Sequence, residues 1–310
     1  MNRTTFTYPS PGKDNVTIHA LKWEGTETPR AVMQIAHGMA EHIARYEQFA
    51  QFLVSHGFVV YGNDHRGHGQ TAGGKENLGY FADVDGFECV VDDMYVLTQI
   101  IRRKHQDLPL FLFGHSMGSF LSRRYVQRYG SDLSGVILCG TGGDPGMLGK
   151  VGLRIAKREV RRKGAKTLSP TMDKLIFGNY NRRFRPARTA FDWLNRDKAE
   201  VDKYVADPLC GNVMSASFYV DLLSGILAIH RMENVKKTPS TLPIFLIAGA
   251  DDPVGNYGKG VRQVQALYER AGVEDVTCKL YSDRRHELLN EKRKEEVYGD
   301  VVSWLAQRLV

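Results

Sequence analysis

Leu110-Phe111-Leu112-Phe113-Gly114-His115-Ser116-Met117-Gly118 decides how the rest of the chain is read. Four consecutive apolar residues make a short buried strand, and a helical pattern runs on through Tyr129, so the G-x-S-x-G between them sits at a strand-to-helix turn. Such a turn is strained, and bulky residues two places either side of the serine would collide with strand or helix. Gly114 and Gly118 remove the collision and let the Ser116 hydroxyl stand free at the sheet edge, where a nucleophile must be. The plainer alternative is a glycine-rich turn carrying a surface serine. The strand before it and the helix after it favour the nucleophile.

Outward from this turn, β-branched apolar runs alternate with helical patterns, the signature of a mostly parallel sheet wrapped by helices. Strands are predicted at Thr4–Tyr8, Val16–Trp23, Ala31–Ala36, Phe58–Tyr61, Leu110–Phe113, Gly135–Cys139, Leu242–Ala248 and Val276–Tyr281, the first two forming an antiparallel edge. Phe87, Val90, Val91, Met94, Leu97 and Ile101 recur at helical spacing, as do the apolar positions from Leu288 to Val310. From Gly142 to Pro239 no core strand is predicted, and that stretch reads as a helical insertion capping the main domain. The expected organisation is therefore a core of residues 1–141 and 240–310 with a helical cap over 142–239.

At 310 residues the chain exceeds the usual size of a single core, which suits one large domain with an insertion. Its 42% hydrophobic and 25% charged residues are globular values and argue against disorder, collagen-like repeats or a membrane bundle. Cys89, Cys139, Cys210 and Cys278 lie far apart with no C-x-x-C pair, so neither a zinc site nor a redox dithiol is expected. Reduced thiols in a cytoplasm fit best. The N-terminal segment lacks an apolar signal core, and no run approaches the ~20 apolar residues of a membrane span, so a cytoplasmic placement is expected.

A serine hydroxyl is a weak nucleophile at neutral pH and needs a base within hydrogen-bonding reach. Where the serine sits on a strand-to-helix elbow, the chain order is serine, acid, histidine. Of the ten histidines only His230 and His286 follow Ser116. His230 falls in the insertion, whereas His286 leaves the last strand at the sheet edge from which the serine also emerges, so His286 is the candidate base. The acid should leave the strand after the insertion, which runs into Gly249-Ala250-Asp251-Asp252-Pro253. Asp252 lies deeper in that loop than Asp251, but the residues alone barely separate the two. Oxyanion donors are expected from the backbone N–H groups of Met117, after the nucleophile, and Met39, in the loop after the third strand.

Asp64-His65-Arg66-Gly67-His68-Gly69 brings two histidines near an aspartate, yet its place after a strand and among loop glycines reads as hydrogen bonds bracing a turn, not as metal ligation. No phosphate-binding or dinucleotide-binding glycine motif stands in the required context, so no cofactor and no metal is expected.

Together, His37-Gly38-Met39-Ala40-Glu41-His42, Asp64-His65-Arg66-Gly67-His68-Gly69 and Gly114-His115-Ser116-Met117-Gly118 resemble the monoacylglycerol lipase and lysophospholipase family, over most of the core. The resemblance implies the α/β-hydrolase fold with a helical cap between the strand ending near Cys139 and the strand starting at Leu242. It also implies acyl-glycerol or lysophospholipid esters as substrates. Gly249-Ala250-Asp251-Asp252 is similar to the family's acid loop, whose aspartate comes three residues after the glycine, and this selects Asp252; His286-Glu287 is similar to its histidine loop. The cap carries no matching motif.

Charge is unevenly placed. Between Thr141 and Arg188 there are thirteen basic residues against Asp144, Glu159 and Asp173, a segment of +10 in a chain of +7, leaving −3 for the rest. On a helical wheel from Val151 to Lys163, the residues Val151, Leu153, Ile155, Ala156 and Val160 mostly share one half and the basic residues the other. Such a helix can rest on an anionic membrane, or present a solvated basic face; nucleic acid is disfavoured because the charge lies on the cap of a catalytic domain.

The chain is thus expected to cleave carboxylic esters through an acyl-enzyme on Ser116, with a small-molecule ester or lipid as partner and peripheral contact with anionic membrane through the basic cap. The same triad serves an amidase or aminopeptidase. A binding protein on an inactive scaffold is the alternative of another class, and the complete serine, aspartate and histidine set argues against it. An epoxide hydrolase or dehalogenase would need an aspartate at position 116. Nothing in the sequence bears on oligomeric state.

Overall fold

Strands buried on both faces belong in the middle of a sheet, and five such segments occupy it here. The computed structural model describes residues 1–12 and 14–309; Val310, the last position of the predicted terminal helix, lies outside the described residues. Eight strands form one sheet: β1 (Asn2–Pro9), β2 (Thr17–Glu24), β3 (Ala31–Ala36), β4 (Phe58–Asn63), β5 (Leu110–His115), β6 (Gly135–Cys139), β7 (Ile244–Gly249) and β8 (Val276–Tyr281). They lie in the order β1-β2-β4-β3-β5-β6-β7-β8. β2 is antiparallel to β1 and β4, the predicted antiparallel edge, and the remaining pairs are parallel. All eight predicted strands are present, most of them with ends shifted by one or two residues.

The two-residue period of the strands divides the core. Val32, Leu110, Leu112, Val136, Leu138, Ile244 and Leu246 face one side, while Met33, Ile35, Phe111, Phe113, Ile137, Phe245 and Ile247 face the other. Helices α2 (Gly86–Lys104), α3 (Met117–Tyr129) and α9 (Lys259–Ala271) cover the first side with Val90, Met94, Leu97, Leu121, Tyr125 and Val264. Helices α1 (Glu47–Ser55) and α10 (Lys294–Ala306) cover the second with Phe49, Leu53, Val301, Trp304 and Leu305. Each fully buried aliphatic or aromatic side chain contributes about 1.5–3 kcal/mol relative to exposure. The terminal helix is shorter than the apolar spacing suggested: Leu288 and Leu289 are buried in the loop before it.

Between β6 and β7 the chain adds no strand to the sheet. It forms α4 (Gly146–Lys163), α5 (Pro170–Phe177), α6 (Lys198–Ala206), α7 (Ala216–Ile229) and the single turn α8 (Met232–Val235). Ser169, Asp197 and Ser215 cap α5, α6 and α7 by accepting backbone N–H groups. Phe218, Tyr219, Leu222 and Leu223 of α7, with Met172 of α5, join the core on the α2 and α3 side. On α4 the apolar half of the wheel does not coincide with the buried seam. The inward seam is Gly149, Gly152, Ala156 and Glu159, whereas Val151 and Ile155 are exposed. Small residues let α4 approach α7 closely, so packing selects the side with least bulk instead of the side with most hydrophobicity.

Asp221 of α7 faces the start of α2, with its carboxyl buried against Gly86. Burial pushes its pKa up from 3.8 to about 7, against the opposing Gly86 N–H and with help from Asp85. A carboxyl raised on folding costs stability while ionised; the cost is full above about pH 7 and disappears as pH falls toward 4. Asp221→Asn should therefore raise Tm by several degrees at pH 8 and by clearly less at pH 5, measured by thermal unfolding at both values.

Candidate active site

Strand order reverses at β3, whose successor β4 lies on one side and whose neighbour β5 lies on the other, so a crevice opens where their carboxyl ends diverge. Both the Gly38 loop and the Ser116 elbow leave the sheet there. The elbow depends on two close approaches. A Cβ at Gly118 would lie 2.1 Å from the Ala36 carbonyl oxygen, and one at Gly114 would lie 2.3 Å from Ser122 Oγ. Ser116 itself has φ 53° and ψ −118° and heads α3, a backbone state that L-residues avoid unless the surroundings enforce it. Its N–H donates to the Cys139 carbonyl at 2.9 Å, tying the elbow to β6. Met117 opens α3, so its N–H has no acceptor within the helix. Met39 lies in the turn after β3, and a Cβ at Gly38 would be 3.3 Å from Ser116 Cβ.

Ser116, Met117, Met39 and His286 all line one cavity of about 740 Å³ that runs from the sheet edge into the helices of the insertion. Where α4, α5 and α7 line it, Val151, Ile155, Met172, Leu222, Leu223 and Ile226 make it mostly apolar, with Asp173 and Lys174 as the charged residues among them. Asp252 stands behind the histidine: its Oδ2 accepts from His286 Nδ1 at 2.9 Å and its Oδ1 accepts from the Val254 N–H at 2.8 Å. Both side chains are buried, Asp252 completely. Asp251 is half-exposed and makes no hydrogen bond to the imidazole among the described residues. The loop from β6 comes close as well, since a Cβ at Gly140 would be 3.1 Å from His286 Cε1. His230 sits at the end of α7 with Nδ1 2.7 Å from the Ile226 carbonyl, and burial lowers its pKa to about 4. It takes no part in the cavity.

Residues to which the sequence gave no role surround this pair. Glu41 accepts from the Gly38 N–H at 2.5 Å, Tyr46 Oη at 2.7 Å and Arg45 at 2.5 Å, and lies 3.2 Å from His115 Nδ1. Arg45 also donates to both carboxylate oxygens of Glu287, at 2.6 and 3.0 Å. The network joins the turn after β3 to the residue after His286. Burial works against the Arg45 charge, but Glu287 and Glu41 outweigh it and hold its pKa above the ordinary value. Burial likewise opposes the Glu41 carboxylate, and Arg45 and His115 overcome it, so its pKa falls well below the carboxylate range. The i, i+4 spacing of Glu41 and Arg45 was the available signal; the bond to Glu287, 242 residues along the chain, had none. Trp193, from the insertion, places its ring 5.1 Å from that of His286.

The Asp64 to Gly69 segment braces turns as read from the sequence. Asp64 accepts from the Ile43 and Gln70 N–H groups, both at 2.8 Å, and Arg66 pairs with buried Asp93 at 2.7 Å and with Asp14. Burial pushes the pKa of His65 down to about 3 and lowers that of His68, which disfavours the charged form of both. One other group, His42, Asp207 and Cys210, brings potential ligand atoms within 4.8 Å of one another, but His42 Nε2 and Asp207 already meet at 2.8 Å as a hydrogen-bonded pair.

A serine on a strand-to-helix elbow, a buried histidine–aspartate pair and a cavity at the switch point of a mostly parallel sheet define a serine hydrolase of the α/β-hydrolase class. More narrowly, residues 27–293 match the family model described as serine aminopeptidase, S33, and the chain belongs to that family. The chain is 29% identical to a monoacylglycerol lipase of Mycolicibacterium smegmatis over 298 residues, 96% of either chain. It is 28% identical to the monoglyceride lipase of Homo sapiens, over 95% of this chain and 88% of that one. Among solved structures, a highly thermostable carboxyl esterase from Bacillus coagulans in complex with glycerol superposes with a TM-score of 0.92 at 30% identity over the whole of both chains. These relatives agree with the motif resemblance to the monoacylglycerol lipase family of α/β-hydrolases.

The Glu41 network sets a pH window for stability. Burial opposes the His115 charge, but Glu41 raises its pKa above 6.5, so its contribution is complete below that value and is lost as pH rises through the raised one. Glu41, with a depressed pKa, contributes above about 4.5 and loses its contribution only well below it. Glu41→Gln should accordingly destabilise by on the order of 3 kcal/mol near pH 6 and by less at pH 9, read from urea unfolding at the two values.

Proposed function

We propose that this chain hydrolyses carboxylic esters of the monoacylglycerol or lysophospholipid type through an acyl-enzyme on Ser116. The observation that carries the reading is that Ser116 and the Asp252-paired His286 line one cavity whose walls are mostly apolar. The Ser116 oxygen attacks the ester carbonyl carbon while His286 Nε2 takes the hydroxyl proton. Asp252 holds the proton on Nδ1, which keeps Nε2 free to accept, and it stabilises the imidazolium without itself becoming protonated. The N–H groups of Met39 and Met117 receive the negative charge that develops on the carbonyl oxygen. As the tetrahedral species collapses, the proton passes from Nε2 to the leaving alcohol. Water, activated by the same nitrogen, then attacks the acyl-enzyme, releases the fatty acid and restores the serine.

The family description favours a second reading, cleavage of an N-terminal amide bond. Recognition of a substrate ammonium group would need a carboxylate with free acceptor positions at the cavity. Glu41 is already engaged by Gly38, Tyr46, Arg45 and His115, and Glu287 by Arg45; Asp173 on the cavity wall accepts from Tyr219 Oη at 3.3 Å and keeps its second oxygen open, so the ester reading is preferred on the mostly apolar character of the lining. We further propose that residues 142–239 act as a cap and that α4 contacts lipid. Leu148 is 84% and Met147 66% exposed, and Val151 and Ile155 continue the apolar run beside exposed Lys150, Arg154, Arg158, Arg161 and Arg162. None of the helices is long and apolar enough to cross a membrane among the described residues, so this contact would be peripheral. The four cysteines are unpaired, which suits a reducing, cytoplasmic setting.

A fluorophosphonate probe should label the wild type and fail on Ser116→Ala. In a substrate panel, monoacylglycerol and p-nitrophenyl esters should turn over and aminoacyl anilides should not; the opposite preference would establish the amide reading. Asp252→Asn should lower turnover on the order of 10⁴-fold and Asp251→Asn far less, measured as kcat on one soluble ester.

For the lipid contact, each Lys or Arg near an anionic surface contributes about 1 kcal/mol, screened as the Debye length falls from about 10 Å at 0.1 M salt to about 3 Å at 1 M. Replacing Arg158, Arg161 and Arg162 with Gln should reduce co-sedimentation with anionic vesicles and leave hydrolysis of a short soluble ester unchanged. Equal binding to neutral and anionic vesicles would remove the electrostatic part of the reading.

A further inference from the structure

Glycine is the least favourable helix residue after proline, so one in a helix interior calls for a physical reason. Gly152 lies in the middle of α4, is buried, and lines the cavity. Backbone geometry is not the reason, because its φ is not in the left-handed region. Steric exclusion is not the reason either. A Cβ built there meets only Leu223 Cδ1 at 3.4 Å and Met172 Cε at 3.9 Å, ordinary contacts with the ends of flexible side chains. Every other glycine on the cavity wall would put a Cβ within 3.0 Å of a neighbour. What glycine provides at position 152 is unfilled space on the cavity wall, beside the apolar side chains of Leu223 and Met172.

We propose that Gly152 determines acyl-chain length: its missing side chain leaves the space that the distal methylenes of a long acyl chain occupy. The assignment rests on the ester reading above. The carbonyl carbon must sit at Ser116, and the acyl chain, being apolar, must extend along the wall that buries it, which is the α4, α5 and α7 side. A side chain on α4 at position 152 projects between Leu223 and Met172 into that path. Gly149, one turn earlier on the same seam, would instead meet the Pro145 ring at 2.6 Å, so a substitution there would disturb the start of the helix.

The test is a chain-length profile of kcat/KM for p-nitrophenyl esters from acetate to palmitate, in wild type, Gly152→Ala, Gly152→Leu and Gly299→Ala. Each buried methylene is worth about fourfold in binding, so excluding two or more should lower the palmitate-to-butyrate ratio about tenfold or further in Gly152→Leu. Gly152→Ala should shift the ratio in the same direction by less, and it carries the test alone where the leucine variant does not fold. Gly299 in α10 has open space around it and lies outside the cavity, so Gly299→Ala gains helix propensity and should leave the ratio unchanged. A folded Gly152→Leu with an unshifted ratio, or with a uniform loss at all chain lengths, would overturn the assignment and reduce Gly152 to a packing residue between α4 and α7. Absence of ester turnover in the wild type would overturn the ester reading and this assignment with it.

Discussion

The closeness of helix α3 to strand β3 is the constraint on which the rest of the structure depends. With 2.1 Å between the Ala36 oxygen and the place where a Gly118 Cβ would be, the helix can start directly at the strand edge only because that position has no side chain. The short path forces the left-handed φ of Ser116, and that φ raises its hydroxyl out of the sheet. Contacts elsewhere hold the strain: the Ser116 N–H is tied to β6, and α3 is buried through Leu121, Tyr125 and Val126. The site is therefore a consequence of backbone packing before it is an arrangement of side chains.

A second layer consists of buried charge. Glu41, Arg45, Glu287 and His115 lie beneath the turn that carries Met39, and they connect it to the loop that carries His286. Buried charges are costly unless paired and hydrogen-bonded, and a network that satisfies every member gives strong directional constraint in exchange. Here two carboxylates share one guanidinium, and the spare acceptor positions of Glu41 take the Gly38 N–H and the Tyr46 hydroxyl. The effect is to fix the relative positions of two loops that otherwise belong to opposite ends of the chain.

The insertion follows different rules. Its inner seam on α4 is small and its apolar residues point outward or into the cavity, so hydrophobicity there serves the space and the surface more than the core. Trp193, carried by a loop of the insertion, packs its ring 5.1 Å from the imidazole of His286, and Tyr204 Oη donates to the Ala40 carbonyl at 2.9 Å. Helices that contribute no sheet strand thus still shape the immediate environment of the proposed catalytic groups.

The sequence by itself determined the strand set, the strand-to-helix turn at Ser116 and the helical character of residues 142–239, and it brought His286 forward as the candidate base. Each of these rests on local chemistry: two-residue and helical periodicity, glycines flanking a serine, and an order along the chain that leaves few candidates. It barely separated Asp251 from Asp252, because adjacent aspartates share composition and context; only the turn after β7 decides which carboxylate reaches His286 Nδ1. It assigned no role to Arg45, Glu287 or Trp193, since their partners lie far along the chain and no spacing records such a distance. It gave no buried face for α4, where a wheel ranks residues by hydrophobicity but tertiary packing ranks them by size, and small residues such as Gly149 and Ala156 lie on the inward seam because helices pack closest where least is in the way.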